Sequence, residues 1–242
     1  MDIRIASTRQ EMGRQAAADI AAELRERLVR QSDVRVIFAA APSQQEMLDA
    51  LIREPGIDWA RITAFHMDEY IGLPAGAAQR FGLWLRAAIF DRVAFKRVHL
   101  IEASGDAEAA CRGYAKLLAE APIDMVLLGV GVNGHLAFND PPADLEDAEE
   151  VKVVGLDEAC RQQQVDDGCF ASLDDVPQRA ITLTVPTLLG ANRLFCCVPG
   201  ARKQVAVRRM VHEEISGACP ATALRRHPRC AVYLDRDSSA ML

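Results

Sequence analysis

The segment Gly129-Val130-Gly131-Val132-Asn133-Gly134-His135-Leu136-Ala137-Phe138-Asn139-Asp140-Pro141-Pro142 constrains this chain more than any other stretch. It follows an apolar run, Met125 to Leu128, and its opening spells G-x-G-x-x-G. In a dinucleotide-binding fold the third glycine would open a helix whose N-terminus holds a pyrophosphate. Here the glycines lead into a histidine, an Asn-Asp pair and two prolines, and the residue before a proline is pushed out of the helical region. No long helix can start there. The segment predicts instead a glycine-shaped loop after a strand, carrying His135 and Asp140 as a catalytic loop would.

Around this loop, strand and helix patterns alternate. Residues 8–30 have helical periodicity, with Ala, Ile and Leu on one face and Arg and Glu on the other. Val34 to Ala41 reads as a buried strand, and Ser43 with Glu46 then has the spacing of a helix-opening capping box. Ile62 to Met67 reads as a strand ending at Asp68-Glu69-Tyr70. Helices are predicted over 79–92 and 106–119, with a short strand from His99 to Ile101 between them. Ile123 to Val130 is the strand that feeds the glycine loop. Ile181 to Val185, Leu194 to Val198 and Ala231 to Leu234 read as further strands, and a helix over 201–215 separates the last two. Residues 139–180, rich in Asp and Gln, read as a partly helical excursion able to close over a site. This alternation implies an α/β fold, a Rossmann-like, mostly parallel sheet with helices on both faces. No repeat or composition break divides the chain, so a single domain over 1–242 is expected.

The net charge of −6 and the lack of a Lys/Arg-rich run argue against a nucleic-acid partner. The short basic pairs Arg208-Arg209 and Arg225-Arg226 read as solvated helix faces. No apolar stretch reaches the roughly 20 residues of a membrane span. Met1-Asp2-Ile3-Arg4 lacks the apolar core of an export signal. The 7 cysteines show no C-x-x-C spacing, and Cys196-Cys197 in a strand must face opposite ways. Reduced, mostly buried cysteines in a cytoplasmic protein are the expectation. A homo-oligomer is left open.

In open α/β sheets, ligands bind beyond the carboxyl ends of the strands. Pro42-Ser43, Met67-Asp68-Glu69-Tyr70, the glycine loop and Pro199-Gly200 before Lys203 all fall at such ends, so their polar groups should converge on one cleft. Asp68 and Glu69 close an apolar strand, where burial raises a carboxyl pKa towards a value useful for proton transfer. The alternative is a helix cap or a surface acidic pair. His135, directly after Gly134, can approach a ligand closely, and Asp140 is a plausible partner for its imidazole; the alternative is a structural histidine. His66 reads as a packing residue, and His99, His212 and His227 carry no signal. Ser43 could offer a hydroxyl and backbone N–H groups to an anion, and Lys203 an ammonium. The ordinary alternatives are an N-cap and a solvent-facing lysine. No metal-ligand spacing and no cofactor loop appear, which points to cofactor-free proton transfer on a small anion.

These residues also carry a resemblance. Phe65-His66-Met67-Asp68-Glu69-Tyr70-Ile71-Gly72-Leu73-Pro74 resembles the F-N-M-D-E-Y-x-G-L-P segment of the isomerising glucosamine-6-phosphate deaminase family. Gly134 to Pro141 resembles its G-H-I-A-F-N-E-P segment, and Pro220 to Pro228 is similar to the pattern before its last strand. The resemblance implies a fold of the sugar-phosphate isomerase type, shared with 6-phosphogluconolactonases. It implies conversion of glucosamine 6-phosphate and water to fructose 6-phosphate and ammonia. Asp68 falls on the base that moves a proton between C2 and C1, and His135 on the residue assisting ring opening. Asp140 stands for a glutamate that supports the histidine, and Lys203 falls on a phosphate-binding lysine. Ser43, Glu69, Gly131, Arg161 and Lys203 are the expected substrate-binding set.

The chain departs from that pattern at three places. Asn133 stands where the family has an aspartate two residues before the histidine. An amide can orient an imidazole but cannot stabilise its charged form. Ala39-Ala40-Ala41-Pro42-Ser43-Gln44 replaces a glycine-rich phosphate loop, with less freedom to wrap an anion. Arg161, in Cys160-Arg161-Gln162-Gln163-Gln164, is the substitute for a phosphate-binding arginine. The competing readings are a 6-phosphogluconolactone hydrolase and a non-catalytic sugar-phosphate sensor. Lactone hydrolysis needs no C2 base, and a sensor on this fold would be expected to carry a DNA-binding domain for which the N-terminal residues leave no room.

Overall fold

Strands in this chain read as nearly continuous apolar runs, the signature of a sheet covered on both faces. The computed structural model, which describes residues 1–242, shows such a sheet. Its strands are β1 (Asp2–Ala6), β2 (Val34–Phe38), β3 (Ile62–His66), β5 (Arg97–His99), β6 (Met125–Leu128), β9 (Arg193–Val198) and β10 (Cys230–Asp235). They lie in the order β1-β10-β9-β6-β2-β3-β5, and every pairing is parallel. A smaller antiparallel sheet joins β4 (Asp68–Tyr70), β8 (Arg179–Leu183) and β7 (Val151–Gly155), with β8 in the middle.

Alternate side chains of the large sheet enter two cores. Val36, Phe38, Ala64, Leu127, Cys197 and Tyr233 face α1 (Arg9–Arg30), α2 (Gln45–Leu51) and α3 (Phe81–Leu85). Ile37, Phe65, Val126, Cys196 and Val232 face α4 (Ala107–Ala119), α6 (Val185–Leu189) and α7 (Gln204–His212). α1 forms where the sequence periodicity places it. Thr8 caps it through the Glu11 N–H, and Ala16, Ala17, Ile20 and Leu24 are buried against the sheet. Arg35 points from β2 into the other layer, donates to the Leu117, Leu118 and Ala121 carbonyls, and so satisfies the exposed carbonyl end of α4. All seven cysteines are unpaired, and only Cys169 is not buried.

Several expectations are corrected. The 181–185 strand is real but belongs to the small sheet as the antiparallel β8, because its partners are β4 and β7. The irregular 139–180 excursion holds β7 as well as α5 (Glu158–Asp166). β7 is half-exposed, which masks its strand pattern. β1, an edge strand with alternating charged residues, escaped the sequence reading for the same reason. Ser43 is not the cap of α2: it lies inside a 3-10 turn over Pro42–Gln44, and no side chain caps that turn or α2. The 79–92 helix is α3 followed by a π turn over Arg86–Phe90. Nor are the basic pairs simply solvated. Arg209 is half-buried and donates to the Asn133 and Ala218 carbonyls at 3.3 and 2.8 Å, and Arg225 donates to the Val211 carbonyl at 3.0 Å.

Candidate active site

β9, β6, β2 and β3 are neighbours in the sheet, and the chain reverses its direction of winding between β2 and β6. The carboxyl ends of adjacent parallel strands leave a crevice at such a point. The crevice here is open to solvent. Ala39 to Gln44 enter it after β2, Met67 and Asp68 after β3, Gly129 to His135 after β6, and Lys203 after β9.

The glycine loop turns as its sequence demands, with no helix following it. Gly134 has φ of +92°, and a Cβ there would lie 2.5 Å from the Cys219 sulfur. A Cβ on Gly131 would lie 2.2 Å from Nε2 of His135. The imidazole thus occupies space that any other residue at 131 would fill. The far side of the loop is pinned to β8: the Phe138 N–H donates to Thr182 Oγ1 at 3.0 Å, and Asn139 Nδ2 donates to the Leu183 carbonyl at 2.9 Å. Arg209 holds its near side through the Asn133 carbonyl.

His135 is 8% exposed, and its Nδ1 lies 3.0 Å from Asp140 Oδ1. Asn133 Nδ2 donates to that same oxygen at 3.0 Å, and Asn133 Oδ1 accepts the His135 N–H at 3.0 Å. Burial works to raise the Asp140 carboxyl. Hydrogen bonds from His135 and Asn133, the imidazole charge and the Asp157 N–H outweigh it and hold the group below its ordinary range. Asp68, 6% exposed, stands at the start of β4 opposite Thr182. Burial pushes its carboxyl well above the ordinary range, and the charge of Glu69 adds to the rise. One acid is therefore held below its ordinary range and the other pushed above it.

Lys203 is 8% exposed and lines the cleft with Ser43 and Gln163. Burial lowers its ammonium to about 8. Nearby Asp167 is paired with Arg202, which leaves Lys203 without a salt bridge of its own. Ser43 and Gly131 also line the cleft.

Two expected ligands of substrate do not. Glu69 accepts the Tyr70 and Phe81 N–H groups at 2.9 and 3.0 Å on one oxygen and the Gly82 N–H at 3.0 Å on the other. It fastens the start of α3 and is not among the residues that line the cleft. Arg161 donates to the Val176 and Leu173 carbonyls at 3.3 and 2.5 Å, so its guanidinium ties α5 to the following turn. His66 packs as expected: Nε2 accepts the Ile101 N–H at 2.7 Å, and burial lowers the ring to about 3.

The sequence reading missed Gln44, Gln163 and Gln164, which line the cleft, and Asp157 and Cys160, which surround Asp140. Glutamine carries no spacing signature, and α5 comes to the loop only through tertiary packing. Asp157, ahead of a helical stretch, had the form of an N-cap and could have been read as one. His135, Asp140 and Cys160 place one donor atom each within 4.8 Å and are the residues here that could hold a metal ion. In the structure His135 Nδ1 already lies on Asp140 Oδ1, and burial with the nearby Asp140 charge pushes the Cys160 thiol up.

Fold and site together define an α/β enzyme whose cleft is lined by a buried carboxylate and by a histidine paired to a second carboxylate behind it. The family model described as glucosamine-6-phosphate isomerases/6-phosphogluconolactonase matches residues 7–232, and the chain belongs to that family. Glucosamine-6-phosphate deaminases of Bacillus cereus (strain G9842) and Bacillus thuringiensis (strain Al Hakam) are each 29% identical over 242 residues, covering 100% of this chain and 89% of their own length. A solved monomeric glucosamine-6-phosphate deaminase superposes with a TM-score of 0.92 at 28% identity, covering 100% of both chains. The 6-phosphogluconolactonase of Trypanosoma brucei superposes with a TM-score of 0.83 at 18% identity over 100% of this chain and 98% of its own, a likeness of fold.

Proposed function

We propose that this protein converts glucosamine 6-phosphate and water to fructose 6-phosphate and ammonia. The observation that carries the reading is Asp68, a buried carboxylate lining the same cleft as His135, which is paired to Asp140. Hydrolysis of a lactone has no use for a second, buried base, whereas aldose–ketose isomerisation needs one at C2. His135 moves the C1 hydroxyl proton to the ring oxygen, and ionised Asp140 stabilises the imidazolium that forms between the two transfers. Asp68 then takes the C2 proton and returns it to C1, while the C1 oxygen gains a proton and the amine nitrogen loses one, which leaves a C1 alcohol and a C2 imine. Water adds to the resulting C2 imine, and ammonia leaves. Asn133 orients His135 and Asp140 without adding charge. Lys203 and Ser43 hold the phosphate at the other end of the cleft, with Gly131 giving the sugar close access to the loop.

This role belongs to amino-sugar catabolism, here assigned to the cytoplasm and to residues 1–242 acting as one domain on a small sugar phosphate. The relatives named glucosamine-6-phosphate deaminase support the substrate. The test is purified protein with glucosamine 6-phosphate, following ammonia and fructose 6-phosphate together. Equal release of both is expected. No release, with hydrolysis of 6-phosphogluconolactone instead, would overturn the assignment.

A further inference from the structure

Asp140 is served by more than its histidine. The Asp157 N–H reaches Asp140 Oδ2 at 3.4 Å, and Asp157 Oδ2 accepts Asn133 Nδ2 at 3.4 Å. The remaining oxygen, Oδ1, accepts the Cys160 N–H at 2.5 Å and caps α5. The amide of Asn133 is thereby fully committed. Its two hydrogens go to Asp140 and Asp157, and its oxygen accepts the His135 N–H. α5 gains a further hold on the loop where Gln163 Oε1 accepts the Val132 N–H at 2.9 Å.

We propose that Asp157 is a positioning residue for ring opening, holding the His135–Asp140 pair in register through Asn133 and through its own N–H. A carboxylate is required because two donors must be met at once, the end of α5 on one oxygen and Asn133 on the other. An asparagine at 157 presents a single acceptor oxygen, so it can cap the helix or hold Asn133 but not both. Asparagine caps helices as well as aspartate does. Asp157→Asn therefore keeps α5 and loosens the pair. The inference rests on the ring-opening role given to His135 above.

The experiment compares two substrates. Glucosamine 6-phosphate must be opened before Asp68 can act, whereas its analogue lacking the 4- and 5-hydroxyls cannot close a ring and bypasses that step. Asp157→Asn should lower kcat on the ring substrate by roughly tenfold to a hundredfold, part of what general acid–base catalysis contributes, and leave the acyclic analogue within about twofold. Asp157→Ser, which also caps with a single oxygen, should behave alike and covers a failure of the first variant to fold. A second readout needs no substrate. The Nδ1 proton of His135, held on a carboxylate, should give a far-downfield NMR resonance in the parent protein that broadens or moves in both variants. Equal loss on the two substrates, or full activity on both, would overturn the proposal. Should the parent turn over neither compound, the functional reading fails on its own, and the Nδ1 resonance decides: unchanged in the variants, it overturns the positioning role.

Discussion

Asp68 meets opposed demands in one side chain. Its burial makes it a useful base and makes its charge costly, so its folded-state pKa lies above the unfolded value of about 4. A native state that holds its proton more tightly than the unfolded chain loses stability as pH rises between those two values. Asp68→Asn removes the charge and keeps the shape. It should reduce kcat by at least about a hundredfold and raise Tm at neutral pH, with the gain in Tm vanishing below about pH 4. Scanning calorimetry across pH checks the stability, and a variant no more stable than the parent at pH 7 would show that the Asp68 charge is not strained. Asn133 tests the opposite case. Asn133→Asp puts a third carboxylate against Asp140 and Asp157 and replaces a donor by an acceptor at 3.0 Å from Asp140 Oδ1. The cluster should take up a proton at higher pH, as a coupled set rather than at one site. The acid limb of kcat should move upward, and the Tm lost at pH 7 should be partly recovered at pH 5. A pH–rate profile superposable on that of the parent would exclude this position from the ring-opening step.

At the scale of elements, the small sheet does for the catalytic loop what the large sheet does for the cleft. β8 presents Thr182 Oγ1 to the Phe138 N–H, and this hydroxyl also donates to the Leu183 carbonyl at 3.1 Å. Thr182→Val keeps the volume and strands a buried N–H, a cost of about 1–3 kcal/mol. At this chain length that corresponds to a fall of roughly 2–4 °C in Tm for each kcal/mol. kcat should fall with it, because Phe138 lies on the His135 loop; a loss of Tm with unchanged kcat would show the loop to be set without the Thr182 hydroxyl. This layer was the least legible part of the sequence. The inner parallel strands announce themselves as apolar runs, and the glycine loop announces its own turn, so His135, Asp68 and Lys203 could be placed at strand ends. β4 is three residues of acid and tyrosine, and β7 is half-exposed, so neither has a strand's pattern. The partners of Glu69 and Arg161 were hidden for a related reason. A charged residue beside a site looks like a ligand until its bonds to α3 and to the 173–176 turn are visible.

At the scale of the whole molecule, one cleft holds an acid whose charge burial disfavours and an ammonium whose charge burial also disfavours. The two groups respond to pH in different ways. Lys203 titrates near 8 in the folded protein, against 10.5 for an unhindered lysine. The unfolded chain thus binds this proton more tightly, and the empty protein gains stability as pH rises from about 8 to about 10.5. A bound phosphate reverses the account, because it meets the ammonium that burial disfavours. Ligand that binds only the folded state raises Tm in proportion to RT ln(1 + [L]/Kd). The rise in Tm given by fructose 6-phosphate should therefore be largest below pH 8 and shrink through pH 8–9 as the ammonium is lost. Lys203→Met should do three things together: stabilise the empty protein at pH 7, abolish most of the ligand-induced rise, and flatten its dependence on pH. Differential scanning fluorimetry over pH 6–10 with and without the sugar phosphate measures all three. A ligand-induced rise that persists unchanged in Lys203→Met would move the phosphate to another part of the cleft, with Arg9 and Arg202, which flank Ser43 on the outer rim, as the cations that remain.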